Sequence, residues 1–247
     1  MRVMLAFALC GLAVVAQAAN EIDAKVEAAL AAEARPEADR VRDENRMPLE
    51  TLDFFGLKDD MRVIELIPGR GWYTRVLAPV LAENGQLDVA IGTNRIEEGL
   101  LDEPGFEAVE VLDTRDNFRR SERRGVYLVD EFEFGVEDVD MVLTFRNMHN
   151  FPREVRDRIN AAVFDALSPG GIYGVVDHTR RHMEPDSGEN RRRIDPVQVI
   201  KELLEHGFEF AGFSDLHYRA DDELEYEVGR RSVSGNTDRF TLKFRKP

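Results

Sequence analysis

The stretch that decides the fold is residues 63–74, which read VIELIPGRGWYT. Residues 61–67 are mostly apolar, with Glu65 near the middle of the run, and such a run predicts a buried β-strand. Pro68, Gly69 and Gly71 then predict a tight turn, after which a helix is expected. Glycines in such a turn let a ligand approach the backbone, and the start of the helix offers unpaired N–H groups. The stretch therefore predicts a ligand-binding turn between a strand and a helix, with a plain tight turn as the alternative.

The alternation of strand and helix continues through the rest of the chain. Apolar runs predict further strands at residues 87–91, 126–129, 139–145, 172–177, 208–213 and 239–244. Helices are predicted at residues 72–81, 155–167 and 196–206, the last with Asp195 as its N-cap and Pro196 in its first turn. This alternation indicates a mostly parallel sheet with right-handed crossovers, and the last two strands are expected to form an antiparallel pair. The prediction is an α/β domain with a doubly wound, seven-stranded sheet.

The first 57 residues do not follow this alternation. Residues 1–18 have a positive start at Arg2, an apolar run and the sequence Ala16-Gln17-Ala18, which together are typical of a secretory signal peptide. The run is shorter than the ~20 apolar residues of a membrane span, so we expect no stable membrane insertion after cleavage. Residues 19–57 predict a helical extension, and residues 58–247 form the predicted α/β domain. The mature protein is therefore expected to be periplasmic or secreted.

The composition restricts the classes of partner. Apolar residues make up 43% of the 247 residues and charged residues 33%, as is typical of a globular protein. The net charge of −15 disfavours nucleic acid and anionic membranes as partners, so a small molecule is the expected ligand. Cys10 is the only cysteine and lies in the predicted signal peptide, so the mature protein is expected to have no disulfide. The sequence leaves the oligomeric state unknown.

From Glu65 onward the residues resemble those of class I S-adenosylmethionine-dependent methyltransferases. That family has an acidic residue in its first strand and then a glycine-rich turn, and Glu65, Gly69 and Gly71 match this motif. The resemblance spans roughly residues 48–247 and implies a Rossmann-like methyltransferase fold that binds S-adenosyl-L-methionine. Three further motifs are similar to one bacterial subfamily of exported predicted methyltransferases: WYT at residues 72–74, RNMHN at 146–150 and GNTDRF at 235–240.

The resemblance also implies which residues bind the cofactor. Glu65 would order the turn or contact the methionine amino group, and Gly69 and Gly71 would pass beside the cofactor. Asp130, after the predicted third strand, would face the adenine, with a solvated charge pair at a strand end as the alternative. The full implied set is Glu65, Pro68, Gly69, Gly71, Tyr73, Thr74, Asp130, Arg146 and Asn147.

Two positions differ from the family pattern. The first glycine of the turn is replaced by Ile67, and Gly92 stands where the family has an acidic residue that holds the ribose hydroxyls. Thr93 or Asn94 could hold the ribose instead. The missing acid also argues against NAD, as does Thr74 where a dinucleotide fingerprint needs glycine or alanine.

Candidate catalytic residues follow the fourth and fifth predicted strands. His149 lies at the sheet edge where open α/β sheets bind ligands, and histidine titrates near neutral pH, which suits a general base. The alternative is a structural role at the start of the next helix. Asp177 and His178 end the following strand, and either take part in catalysis or shape the pocket floor. Together with His182 these residues could hold a divalent metal, but their spacing matches no strong signature and no metal ligands are predicted.

Several other charged residues are expected at the surface. Arg42 and Arg46 precede the first strand of the domain and are expected to form surface salt bridges, with a substrate contact as the alternative. The run Arg191-Arg192-Arg193 is expected to be a solvated face of a long loop, with a pocket lid or a contact to an acidic group as alternatives. His206 and His217 are expected at the surface.

The leading functional hypothesis is methyl transfer from S-adenosylmethionine to an unidentified small molecule. Positioning of the acceptor would supply most of the catalysis, and His149 would act as the base if the acceptor must lose a proton. The second hypothesis is a non-catalytic small-molecule or nucleoside-binding protein on a methyltransferase fold, because Ile67 and Gly92 depart from the family pattern. A third is a metal-assisted enzyme that uses the histidines.

Overall fold

The computed structural model describes residues 21–114, 118–123, 125–130 and 132–247, so the predicted signal peptide lies outside the described residues. The helices are α1 (21–31), α2 (Glu37–Arg40), α3 (Asp43–Arg46), α4 (Pro48–Phe55), α5 (Thr74–Leu81), α6 (Asn94–Glu97), α7 (Arg153–Ala166) and α8 (Pro196–Glu205). The strands are β1 (Arg62–Leu66), β2 (Gln86–Ala90), β3 (Glu110–Val111), β4 (Phe118–Arg120), β5 (Tyr127–Val129), β6 (Val139–Phe145), β7 (Leu167–His178), β8 (Glu209–Ser214) and β9 (Arg239–Arg245). None of the helices in these ranges is long and apolar enough to cross a membrane.

The main sheet has seven strands in the described part of the chain, in the order β3-β2-β1-β6-β7-β9-β8. The first five strands run parallel, and β9 is antiparallel to both β7 and β8. The chain moves outward in one direction from β1 to β3 and in the other from β6 to β8, so the carboxyl ends of β1 and β6 lie side by side at the reversal point. The predicted doubly wound, seven-stranded sheet with an antiparallel final pair is confirmed.

Helices cover both faces of the sheet because successive strand residues point to opposite sides. In β1, Val63 packs into the cluster that contains helices α1, α4 and α5, whereas Ile64 packs into the cluster that contains α7 and α8. Helix α8 begins as predicted, since the Asp195 side chain accepts a hydrogen bond from the Val197 backbone N–H and Pro196 occupies the first turn. The N-terminal helices thus pack on the domain and close one side of the sheet.

The predicted third strand at residues 126–129 is wrong as part of the main sheet. Strand β5 pairs instead with β4 in a separate antiparallel two-stranded sheet, which we call the ribbon. The third strand on that side of the main sheet is β3, which is only two residues long and is therefore too short to produce a recognisable alternation. The ribbon follows β3 and lies beside the ligand-binding edge of the sheet.

Within the predicted helical extension, residues 37–46 form two short helices, α2 and α3. Their sequence is highly charged and has no apolar stripe to pack along a longer helix. The result is a compact segment that brings Arg46, at the end of α3, against the Trp72 ring.

Candidate functional site

A cavity of about 690 Å³ opens at the carboxyl ends of β1, β6 and β7, which is the edge where open α/β sheets bind ligands. Pro68 and Gly69 line it from the turn after β1, and Arg146, Asn147 and His149 line it from the segment after β6. We call this the first cavity. A second cavity of about 430 Å³ adjoins it and shares Ile67, Gly69 and Asn147 as lining residues.

The turn after β1 has three residues in the left-handed region, with φ of +53° at Ile67, +65° at Gly69 and +80° at Gly71. A β-branched residue is strained there, so Ile67 marks a backbone held by its surroundings. A Cβ at Gly69 would meet no atom within 4 Å, and Gly69 lines both cavities. A Cβ at Gly71 would lie 2.2 Å from Leu100 Cδ2, and Gly71 lines neither cavity. Of the two predicted glycines, only Gly69 leaves space for a ligand, because Gly71 is needed for packing.

Glu65 is 3% exposed and lines the first cavity. Its Oε2 atom accepts a hydrogen bond of 2.6 Å from the Thr74 hydroxyl, whereas Oε1 has no hydrogen-bond partner among the described residues. Burial raises the pKa of Glu65 to about 7, against the smaller effects of Thr74 and Arg46, which lower it. Thr74 lines neither cavity, so its place is behind Glu65 rather than against a ligand. The arrangement is a partly unsatisfied carboxylate aimed at a cavity, which suits an ammonium group.

Aromatic rings form the wall next to this carboxylate. Tyr73 stacks on Phe145 with ring centroids 3.5 Å apart and planes 9° apart, and Trp72 packs edge-on against Tyr73. The guanidinium of Arg46 lies 4.2 Å from the Trp72 ring centroid. Burial raises the pKa of Tyr73 to about 12, so its hydroxyl stays neutral.

His149 and Asp177 form a tightly held pair. His149 Nδ1 lies 2.5 Å from Asp177 Oδ1, and the His149 backbone N–H donates to Oδ2 at 3.1 Å. The His178 backbone N–H donates to the same Oδ1 at 2.7 Å. A carboxylate at Nδ1 makes that nitrogen the donor, so in the neutral ring Nε2 carries the lone pair. The pair therefore has the arrangement that a general base requires.

His178 lies beside this pair, with its ring centroid 5.8 Å from that of His149. Its Nδ1 atom is 2.9 Å from the Thr237 hydroxyl, and burial together with the charge of His149 lowers its pKa well below the usual range. His182 does not join them, because its Nδ1 bonds Asp195 Oδ2 at 2.9 Å. Across residues 21–114, 118–123, 125–130 and 132–247, no group of three or more histidine, cysteine or acidic residues could hold a metal.

The second cavity lies where the resemblance would put the nucleoside. Its walls include Asn94 and the aromatic rings of Phe118 and Tyr127, which stack across the ribbon with centroids 5.0 Å apart. A Cβ at Gly92 would lie 3.0 Å from the Phe118 ring, so this ring occupies the room that an acidic side chain would need. Thr93 is buried and its hydroxyl bonds Glu97, which leaves Asn94 as the polar candidate for a ribose.

Asp130 is not brought to either cavity. It is exposed and pairs with Arg119 at 3.0 Å across the ribbon, as the alternative of a solvated charge pair predicts. Asp130 directly follows β5, and β5 pairs with β4 in the ribbon instead of joining the main sheet. Asp130 therefore does not lie at the carboxyl edge of that sheet. Phe118 and Tyr127 lie on the cavity wall instead, and no periodic pattern indicates them because β4 and β5 are only three residues long.

Three surface predictions are wrong. Arg46 is 4% exposed and lines the first cavity, with no ion pair to any described residue. Arg193 is buried and pairs with Asp222 at 2.9 Å. His217 is 1% exposed, with Nδ1 2.7 Å from the Thr241 hydroxyl and Nε2 2.9 Å from the Arg46 carbonyl oxygen. These contacts form between segments far apart in sequence, which is why the local charge pattern did not reveal them.

No protein-family model matches the sequence, and no curated protein is significantly similar to it. Solved structures are similar in fold. A SAM-dependent methyltransferase from Aquifex aeolicus superposes with a TM-score of 0.57 at 18% identity, over 83% of this chain and 93% of that one. The [4+2]-cyclase SpnF superposes with a TM-score of 0.55 at 17% identity, over 82% of this chain and 80% of that one. The glycopeptide N-methyltransferase MtfA complexed with S-adenosyl-L-methionine superposes with a TM-score of 0.52 at 15% identity, over 83% of this chain and 94% of that one.

The order of the sheet, the glycine turn after β1 and the cavity at the sheet edge agree with these similarities. The identities of 15% to 18% relate the chain to these proteins by fold. The chain therefore has the fold of the class I S-adenosylmethionine-dependent methyltransferases.

Proposed function

We propose that this protein is an S-adenosylmethionine-dependent methyltransferase that acts on a small molecule. The observation that carries the proposal is the His149–Asp177 pair, because His149 lines the same cavity as the glycine turn after β1 and Asp177 holds it from behind. A base, a glycine cradle and a buried carboxylate around one cavity are the parts that methyl transfer to a protic acceptor needs.

The residues present fit the methionine part of the cofactor. Gly69 has open space where a Cβ would stand, and Glu65 has an unsatisfied carboxylate oxygen at the same cavity. Glu65 would bind the amino group of the cofactor, and Gly69 would lie against its methionine part. Asn94, Phe118 and Tyr127 would hold the nucleoside. When bound, S-adenosylmethionine supplies a methyl group on a positively charged sulfur that a nucleophile can accept.

His149 would remove the proton from the acceptor. Asp177 holds Nδ1 at 2.5 Å and the backbone N–H at 3.1 Å, which fixes both the tautomer and the ring direction. Nε2 has no hydrogen-bond partner in the described ranges and would take the proton. Asp177 would remain hydrogen-bonded to Nδ1 while Nε2 carries the proton.

A second candidate is a binding protein without catalysis on the same fold. The observation that favours it is the contact between Gly92 and Phe118, which leaves no acidic residue for the ribose. The [4+2]-cyclase SpnF is named for a reaction other than methyl transfer, so the fold by itself does not require methyl transfer.

We also propose that the protein is exported and that it belongs with the exported subfamily that the sequence resembles. The support is the A-x-A site at residues 16–18 and the three motifs at 72–74, 146–150 and 235–240. Each motif contributes a residue to one neighbourhood, since Tyr73 and His149 line the first cavity and Thr237 bonds His178.

The test uses methyl-labelled S-adenosylmethionine and a protein-free extract of cellular small molecules. Wild-type protein should transfer label to a small molecule, and His149→Gln should reduce the rate by roughly 10²-fold or more, the size of a lost general base. The control is His206→Gln, because His206 lies on the far end of α8 and lines neither cavity. Binding of S-adenosylhomocysteine should be retained in both variants. Binding without any transfer of label would favour the second candidate.

A further inference from the structure

The first cavity has a charge opposite to that of the protein. The chain carries a net charge of −15, yet the only acidic residues that line this cavity within the described ranges are Asp39 and Glu65. Against them stand eight arginines: Arg42, Arg46, Arg70, Arg120, Arg123, Arg146, Arg191 and Arg192. A concave site lined with one sign of charge concentrates ligands of the other sign.

Part of this positive charge is already balanced by carboxylates of the chain. Arg123 pairs with Asp186, and both Arg191 and Arg192 pair with Glu227. These arginines therefore do not by themselves require a ligand.

Arg46 and Arg146 are different, because neither guanidinium forms an ion pair or a side-chain hydrogen bond with any residue of the described part of the chain. Burial and the charge of Arg146 lower the pKa of Arg46 to about 8. Burial and the charges of Arg239 and Arg42 lower the pKa of Arg146 to about 10. Arg239, also buried, donates only to the neutral Asn45 carbonyl. Arg46 is buried and Arg146 is half-buried. Cations in such surroundings are costly without an anionic partner, so an anion in this cavity would stabilise the folded protein.

We propose that Arg46 and Arg146 bind the carboxylate or phosphate group of an anionic methyl acceptor. The inference rests on the proposed function, and it names the substrate class of that site. A guanidinium is the side chain best suited to these groups, because its planar N–H donors match two oxygens at once.

Two features assign the anion to the acceptor. Arg146 and His149 belong to the same short segment after β6 and both line the first cavity. An anion bound to Arg146 therefore lies in the same cavity as the proposed base, His149. The second cavity offers separate room for a nucleoside, and each cavity alone is within the ~300–1,000 Å³ range of a small-ligand site. The cofactor also carries a carboxylate that Arg46 and Arg146 could bind. The experiment below distinguishes the cofactor carboxylate from an anionic group of the acceptor.

The experiment measures binding of inorganic phosphate to the mature protein by calorimetry. Phosphate should bind the wild type, and both Arg46→Gln and Arg146→Gln should weaken it by roughly tenfold or more, as expected when a charged donor is lost. Arg46→Lys keeps the charge and should retain more affinity than Arg46→Gln. The matched control is Arg231→Gln, which removes one exposed positive charge outside the cavity and should leave phosphate affinity unchanged. Thermal unfolding in phosphate-free buffer checks that each variant is folded.

Two competition arms identify the source of the anion. With S-adenosylhomocysteine saturating, phosphate should still bind if the arginines hold the acceptor. If S-adenosylhomocysteine excludes phosphate but 5′-methylthioadenosine, which lacks the amino-acid part, does not, the arginines bind the cofactor carboxylate and the assignment to the acceptor is overturned. The anion site itself is overturned if phosphate does not bind the wild type, or if Arg231→Gln weakens it as much as the cavity variants. Phosphate binding without S-adenosylhomocysteine binding would reject the proposed function and keep the anion site.

Discussion

Glu65→Gln replaces the buried carboxylate with a neutral group of nearly the same shape. The Gln side-chain oxygen can still accept the hydrogen bond from Thr74, which is 2.6 Å long in the wild type. The substitution therefore isolates the charge of Glu65 from its packing. It should stabilise the protein without ligand and weaken the binding of a ligand that carries an ammonium group.

The magnitude follows from the pKa. Burial raises the pKa of Glu65 from 4.5 to about 7, and at 1.36 kcal/mol for each pH unit this corresponds to roughly 3 kcal/mol. Between pH 4.5 and 7 the folded protein holds a proton that the unfolded chain releases. The stabilisation of the folded protein by protonated Glu65 is therefore complete below pH 4.5 and is lost as the pH rises through 7. At pH 8, the free energy of unfolding of Glu65→Gln should exceed that of the wild type by roughly 3 kcal/mol. Near pH 4.5 the two free energies should be equal.

The assay is urea unfolding at pH 5, 6, 7 and 8, with the difference in free energy of unfolding between variant and wild type as the readout. Glu137→Gln is the matched control, because it removes an exposed carboxylate that lines neither cavity. Calorimetry at pH 8 should find S-adenosylhomocysteine bound roughly ten- to a hundredfold more weakly by Glu65→Gln, the loss expected for a charge-assisted hydrogen bond. A raised pKa of Glu65 is ruled out if Glu65→Gln is less stable than the wild type at pH 8, or if the difference in stability is the same at pH 5 and pH 8.

Three other substitutions test the turn after β1 and the contact between His217 and the Arg46 carbonyl. Gly69→Asn keeps a residue that tolerates positive φ but fills the open space, so it should abolish S-adenosylhomocysteine binding in calorimetry with little loss of stability. Gly71→Asn, its counterpart, should destabilise the protein because its Cβ meets Leu100. Equal stability of the two variants would contradict the assignment of Gly71 to packing and of Gly69 to the ligand. Burial lowers the pKa of His217 to about 4, so its contribution to stability should be present above pH 6.5 and lost as the pH falls through 4. His217→Gln should flatten that part of the urea-unfolding profile, and an unchanged profile would argue against a buried neutral His217.

The residues whose positions near the first cavity could be predicted from the sequence are those that one local pattern connects. Glu65 and Gly69 lie in a single strand-turn-helix stretch, and His149, Asp177 and His178 directly follow or end apolar strands. Parallel strands bring their carboxyl ends together, so locating each strand end was enough to predict that these residues meet. Pro68, Tyr73, Arg146 and Asn147 line the first cavity for the same reason.

The residues that the sequence did not predict depend on contacts between distant segments. His217 meets the carbonyl of Arg46 across 171 positions, and neither the charge of Arg46 nor the type of residue 217 indicates that contact. Phe118 and Tyr127 meet across a ribbon whose strands are too short for a periodic signal. The glycine pattern also could not separate Gly69 from Gly71, because the difference is the position of the Leu100 side chain.

Calorimetric titration of the protein with S-adenosylhomocysteine, and in parallel with S-adenosylmethionine, tests whether the first cavity binds this cofactor. We predict one molecule bound per chain, with the binding removed by Gly69→Asn and retained by His149→Gln. If neither compound binds at concentrations up to about 1 mM, where any site stronger than about −4 kcal/mol would be detected, the chain has the methyltransferase fold without its cofactor and the proposed function is wrong.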